Sequence, residues 1–208
     1  MVRLLQYFVG LLLVATVPLS IWGQKEWFWE LGYVENLQLV VLYGASLLSI
    51  YWYLKAGMDG INRPIWAISA WFFMLAGSRE ISWGRVFLAT AYDENGPVPP
   101  DMSTLWFGPY IYGVVGISVV IMLWLIIKHH HRVWSFVKVI VKDREGRVYC
   151  FAAIALMVLS ELVFDRNVIA VIEPIHDRIE EMVELIAYML LVLMLLRGRH
   201  IERDTCGN

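Results

Sequence analysis

Six long apolar runs joined by short polar connectors constrain this chain more than any other feature of its sequence. They cover residues 4–22, 34–54, 65–86, 111–127, 148–164 and 179–196. Most approach the roughly 20 residues that a helix needs to cross hydrocarbon, and the shorter ones end in aromatic or charged residues suited to the interface. Lipid offers backbone N–H and C=O groups no partners, so a crossing element is a helix or a closed barrel, and no alternating barrel pattern is visible. The expectation is an all-α fold, an integral membrane six-helix bundle forming one membrane domain over 1–208. A soluble reading is excluded, because with 59% hydrophobic and 17% charged residues the chain lacks the polar surface to cover a single core. The first run follows Arg3 as a signal peptide would, but its apolar core is too long and no small-residue cleavage site follows, so a retained helix is expected.

Threading the six runs alternately through a membrane sorts the charges. One side receives twelve of the seventeen Lys and Arg residues, leaving Lys25, Arg79, Arg85, Arg166 and Arg178 on the other. Basic residues favour the cytoplasmic side, which places both termini in the cytoplasm. Acids distribute the other way: Asp59, Asp143, Glu145, Glu202 and Asp204 fall inside and fourteen of the nineteen fall at or near the outer face. With no glycosylation sequon, targeting peptide or cytosolic domain, a bacterial inner membrane is the natural location.

Aromatic residues agree with this map. Trp22, Trp27, Phe28, Trp29 and Tyr33 bracket the first outer loop, and Tyr51, Trp52, Tyr53 and Trp66 flank the first inner one, as interfacial anchors do. Nucleic-acid binding is excluded, since stacking aromatics belong in a basic surface and these lie at apolar, membrane-edge positions. The outer loop 93–110 carries Pro97, Pro99 and Pro100, which prevent a regular helix and suggest an ordered cap. The inner loop 128–147 mixes Val133, Trp134, Phe136, Val137, Val139 and Ile140 with basic residues; it reads either as a helix lying on the membrane surface or as a plain connector. Cys150 and Cys206 fall on the reducing side, so no structural disulfide is expected, and His129-His130-His131 reads as part of a basic surface patch.

The chemistry-bearing residues gather on the outer side. At about 100° per residue, Asp177, Glu180 and Glu184 fall within about 40° of Glu173, one narrow stripe of a helix opening the last apolar run. Acids in a first turn suit the helix dipole, which accounts for Glu173 and Asp177 but not for Glu180 and Glu184 deeper in. Glu173-x-x-His176 has the spacing of metal-binding pairs in helical bundles, so Glu173, His176 and Glu180 are candidate ligands for a single divalent metal ion. A second such pair is absent. Glu35, Glu80, Glu161 and Asp165 could contribute carboxylates from the same side.

The third run holds Ser78-Arg79-Glu80-Ile81-Ser82-Trp83-Gly84-Arg85, polar inside an apolar stretch. On a helical wheel Ser78, Ser82 and Arg85 share one face and Glu80, Trp83, Gly84 and Phe87 the other. Arg79 and Arg85 either neutralise acids of the fifth and sixth helices or hold an anionic headgroup and set the ionisation of Glu80. A serine nucleophile at Ser78 or Ser82 lacks the elbow and oxyanion pattern such chemistry uses.

The 79–85 motif, with Glu180-Glu181-Met182-Val183-Glu184 opening the last run, resembles a group of small bacterial polytopic inner-membrane proteins of unassigned function. In that group the third-helix motif reads Glu-Glu-x-Ser-Trp-Gly-Gln-Arg and an acidic pair heads the last helix. This chain departs at Arg79 and Arg85, where the group has Glu and Gln. The resemblance implies a shared architecture and no specific activity.

The candidate polar site therefore comprises Glu35, Arg79, Glu80, Ser82, Arg85, Glu161, Asp165, Glu180 and Glu184. Three uses stand open: an assembly or regulatory membrane subunit whose acids meet a basic partner, a cation- or proton-coupled carrier, and a metal-assisted enzyme acting on a lipid or lipid-linked substrate. Expected partners are membrane lipid and a second copy or another membrane protein.

Overall fold

In the computed structural model the described residues are 2–56, 62–93, 96–164 and 175–206, with backbone alone for 93, 163, 164 and 202–206. Among them the fold is all-α: α1 (Val2–Trp22), α2 (Tyr33–Lys55), α3 (Arg63–Glu80), α4 (Gly108–Lys128), α5 (His130–Lys142), α6 (Arg144–Leu159) and α7 (His176–Cys206). A two-stranded antiparallel hairpin pairs β1 (Ala91–Asp93) with β2 (Gly96–Val98), Tyr92 opposite Pro97. Each of the six apolar runs overlaps a helix, the third and fifth running on past its end at Glu80 and Leu159, and the 128–147 connector contains a seventh, α5.

Among the described residues, three helices are long and apolar enough to cross a membrane: α1, α2 with the turn before it, and α4. At about 1.5 Å per residue the 21 residues of α4 span about 31 Å, close to the hydrocarbon thickness. The others differ for identifiable reasons. α6 has only 16 residues before its hydrogen bonding loosens into a π-turn over Ser160–Phe164, and α7 carries Glu180, Glu181 and Glu184 in its first turns.

The third run does not stay helical to residue 86. α3 stops at Glu80, and Ser82–Leu88 continues as a 3₁₀ segment in which Ser82, Trp83 and Gly84 all take positive φ (48°, 58° and 84°). Three successive left-handed residues redirect the chain, so the wheel that placed Ser78, Ser82 and Arg85 on one face does not hold beyond Glu80. Side chains sorted by a 3.6-residue period are re-aimed once the helix ends.

The chain divides into two compact units, one of residues 1–28, 33–37 and 137–208, the other of 29–32 and 38–136. In the first, α7 packs against both α6 and α1. Its apolar residues are covered all round: Met182, Val183, Leu185, Ile186, Ala187, Tyr188, Met189 and Leu190 are all buried. A helix apolar on every side suits only the interior of a bundle. Gln6 of α1 donates to the Tyr149 hydroxyl of α6, tying a third pair of helices.

Asp143, at the junction of α5 and α6, belongs to the same unit. Its carboxylate accepts from the Gly146 N–H at 2.8 Å, capping α6, and receives two hydrogen bonds from the Arg197 guanidinium of α7 at 2.8 and 2.9 Å. The Arg197 bonds lead in holding this carboxyl below its usual range; partial burial opposes them and the Gly146 N–H adds to them.

In the second unit α3 packs against α4, and the Ser46 hydroxyl of α2 donates to the Ala70 carbonyl of α3 at 2.9 Å. Gly77 lets the Tyr43 ring come within 3.1 Å of where a Cβ would stand, bringing α2 and α3 close. Trp66, wholly buried, meets Trp52 edge-on at 5.0 Å and Phe136 at 6.2 Å. Phe136 anchors the first turns of α5 to the base of α3.

Candidate functional site

The candidate residues fall in both units. Glu35, Glu161, His176, Glu180 and Glu184 belong to the first; Arg79, Glu80, Ser82 and Arg85 to the second. Asp165 and Glu173 lie outside the described residues.

In the first unit the fully buried Ser160 hydroxyl, at the start of the π-turn that ends α6, donates to Glu184 Oε1 of α7 at 3.2 Å. The extra residue of a π-turn rotates the following side chains out of helical register, and such turns recur at functional positions. Glu184 and Glu180 are one turn apart and both half-buried, whereas Glu161 is exposed. Glu35, in the first turn of α2, is only 5% exposed although it is a carboxylate. A charge so enclosed requires compensation or protonation.

His176 begins α7, and its Nε2 lies 2.7 Å from Asp177 Oδ1. The imidazole is thus engaged by the next residue of its own turn. Among the described residues, no three His, Cys, Asp or Glu side chains come together as a metal-holding group. The set Glu173, His176 and Glu180 is therefore represented by two residues only.

Arg178, two residues on, points its guanidinium at the end of α1. Its Nη1 donates to the carbonyls of Ser20 at 3.1 Å and Gly23 at 3.2 Å, satisfying acceptors that the helix end leaves without intrahelical donors. An apolar cavity of about 500 Å³ opens in this unit among Leu12, Leu19, Trp27, Leu37, Met182 and Leu185.

In the second unit Arg85 serves a local purpose. Its Nε donates to the Ser82 carbonyl and its Nη1 to the Pro100 carbonyl, both at 3.1 Å, so the side chain holds the left-handed turn against the proline-rich loop. The same loop is ordered through Gly96, at φ 111°, where a Cβ would come within 2.9 Å of the Trp29 Cβ. Ser78 donates to the Met74 carbonyl one turn back along α3 at 2.9 Å.

Two participants escaped the sequence reading. Ser160 carries no signal, being one serine in an apolar run; only the meeting of α6 with α7 selects it. Arg178 was visible as an outer-side cation, but its acceptors lie about 155 residues earlier in the chain. Comparison of the chain with known protein families, with curated proteins and with solved structures finds no match.

Proposed function

We propose that this chain is a six-helix integral protein of a bacterial inner membrane, both termini cytoplasmic, serving as an assembly or regulatory subunit that presents an acidic outer face to a basic partner. What supports the membrane part is an inverted distribution of polarity. Leu4, Tyr7, Leu11, Val14 and Val17 on α1, and Val114, Ile117, Val120, Trp124 and Ile127 on α4, stand exposed at helical spacing, while Gln38, Ser49 and Ser160 are 0% exposed. A stripe of exposed side chains this long exceeds what a water-soluble monomer tolerates and suits lipid. Exposed Trp22, Tyr33, Tyr110 and Trp124 near helix ends suit the interface.

The partner part rests on how the outer cations are used. The outer side holds fourteen acids and five bases, a net of minus nine, and two of those bases, Arg85 and Arg178, direct guanidinium N–H groups to backbone carbonyls. Such an excess attracts a cationic surface and repels an anionic one. The resemblance to small bacterial polytopic proteins accords with a compact subunit. The Ser160–Glu184 bond at a π-turn favours, as a second reading, a proton-coupled carrier in which Glu184 takes up and releases the proton.

The test uses protein in lipid nanodiscs and a lysine-rich model peptide. Binding that weakens with added salt and falls in the triple variant E180Q/E181Q/E184Q is expected; no binding by the wild type refutes the subunit reading. Proton uptake in liposomes that E184Q abolishes moves the assignment to the carrier. A near-stoichiometric metal in the purified protein, lost in both H176A and E180Q, moves it to a metal-assisted enzyme. Topology is checked by labelling Ser103→Cys from outside the cell and Ser135→Cys only after permeabilisation.

A further inference from the structure

Two cavities in the second unit adjoin along three shared lining residues, Tyr53, Ala67 and Leu125, and together make a groove with unlike ends. The larger, about 530 Å³, is walled by apolar side chains including Ile50, Leu54, Trp71 and Met74. Of its two hydroxyl-bearing side chains, Ser46 is turned to the Ala70 carbonyl and Tyr53 stands where the larger cavity meets the smaller. The smaller, about 250 Å³, is lined by Arg63, His129 and Arg132, with no carboxylate among the described residues of its wall. An apolar trough opening onto a cluster of cations is complementary to an amphiphile with an anionic head.

The cationic end is built by the fold. Arg63 is the first residue of α3, with Pro64 in its first turn, and its guanidinium lies over the Tyr53 ring at 4.4 Å. That stacking leaves the in-plane N–H groups for an acceptor, and Arg63 Nε is buried with no hydrogen-bond partner among the described residues. A buried guanidinium N–H without an acceptor is unfavourable and marks a place where an oxyanion would be received. His129 stands at the break between α4 and α5, and Arg132 follows one turn on. Burial first, and then the charges of Lys128 and Arg132, hold the His129 imidazole below its usual range.

We propose that this groove binds an anionic glycerophospholipid, its phosphate between Arg63 and Arg132 and an acyl chain along the Ile50, Leu54, Trp71 and Met74 wall. The inference rests on the membrane reading above, and it goes further by naming a lipid class and a side. Arg63 and Arg132, with His129 between them, lie on the cytoplasmic side of the proposed topology, where anionic headgroups attract basic clusters. A net-negative lipid is preferred over a zwitterionic one because, among the described residues, the wall supplies cations for phosphate and no carboxylate for an ammonium.

Trp71 makes the site observable. The full chain is reconstituted in zwitterionic bilayers, and phosphatidylglycerol or phosphatidylcholine with brominated tails is titrated while tryptophan fluorescence is read. The expected result is that brominated phosphatidylglycerol quenches at a mole fraction at least about threefold lower than brominated phosphatidylcholine. The W71F variant should lose this early component. R63Q/R132Q, and R132Q alone because its exposed side chain is dispensable for folding, should lose or weaken the preference while quenching by phosphatidylcholine persists. Equal quenching by the two lipids in the wild type, or a preference retained in R63Q/R132Q, overturns the site and leaves the membrane reading standing. Absence of quenching by either lipid overturns the membrane reading itself. Competition by water-soluble glycerol phosphate as strong as by the lipid would overturn the lipid as occupant in favour of a soluble phosphate.

Discussion

The Asp143 junction allows a stability contribution to be worked out from geometry. The carboxylate does two things: it caps α6 through Gly146 N–H, and it holds the Arg197 fork of α7 at 2.8 and 2.9 Å with Glu145 a further 3.3 Å contact. A lost N-cap costs about 1 kcal/mol. The bidentate pair, with side chains 19% and 29% exposed, contributes about 1 kcal/mol after allowance for that exposure. Asp143→Ala should therefore cost about 2 kcal/mol, whereas Asp143→Asn, which keeps a capping oxygen and loses the charge, should cost about 1 kcal/mol. The assay is reversible unfolding in mixed micelles, followed by far-UV circular dichroism, in a cycle with Arg197→Met. The sign with pH follows from the depressed carboxyl. Its stabilising contribution is complete above the unfolded-state value of 3.8 and is lost as pH falls through the lower folded-state value, so wild type and Asp143→Ala should converge only below about pH 4. Indistinguishable stabilities of wild type and Asp143→Ala at pH 7 would refute the reasoning, and equal losses for Asn and Ala would refute the capping share.

Other consequences are independent of that junction. Gly96→Ala should disrupt the 91–98 hairpin, because φ 111° is strained for any side chain and the new Cβ meets the Trp29 side chain at 2.9 Å; faster proteolysis in the 93–110 loop with intact helical content is the expected result. Arg85→Gln should loosen the same loop, seen as faster amide exchange around Pro100, and should leave the first unit unchanged. Ser160→Ala removes the donor to Glu184 and should loosen the contact of α6 with α7, costing about 1 kcal/mol in micelle unfolding. Arg178→Met should fray the end of α1, costing about 1 kcal/mol in micelle unfolding, since two carbonyls lose their donor.

How far the polar site could be anticipated differs from one residue to the next. Glu180 and Glu184 stand one helical turn apart, as the spacing required, because a sequence period survives wherever the helix does. Arg85 could not be placed, because its direction depends on three consecutive positive φ angles at Ser82, Trp83 and Gly84. Ser82 and Trp83 are not residues that announce a left-handed conformation, and the glycine alone would suggest a helix end without its direction. His176 stands at the start of α7 with Asp177, one of the four carboxylates of its stripe, 2.7 Å from its Nε2. The amphiphilic groove was equally hidden: Arg63 and Arg132 were visible only as two cytoplasmic cations, and it is α2, α3 and α4 together that set them beside an apolar trough.

Hydropathy was enough for the helical class and for the bounds of α1, α2 and α4, because an apolar run in lipid must satisfy its own backbone within a few residues of chain. Tertiary structure alone decided which charges meet. The Arg197 fork on Asp143, the Arg178 bonds to the end of α1 and the Ser160 donor to Glu184 join residues far apart in the chain. Hydrogen bonds of about 3 Å depend on helix rotation and depth at a precision no residue period carries.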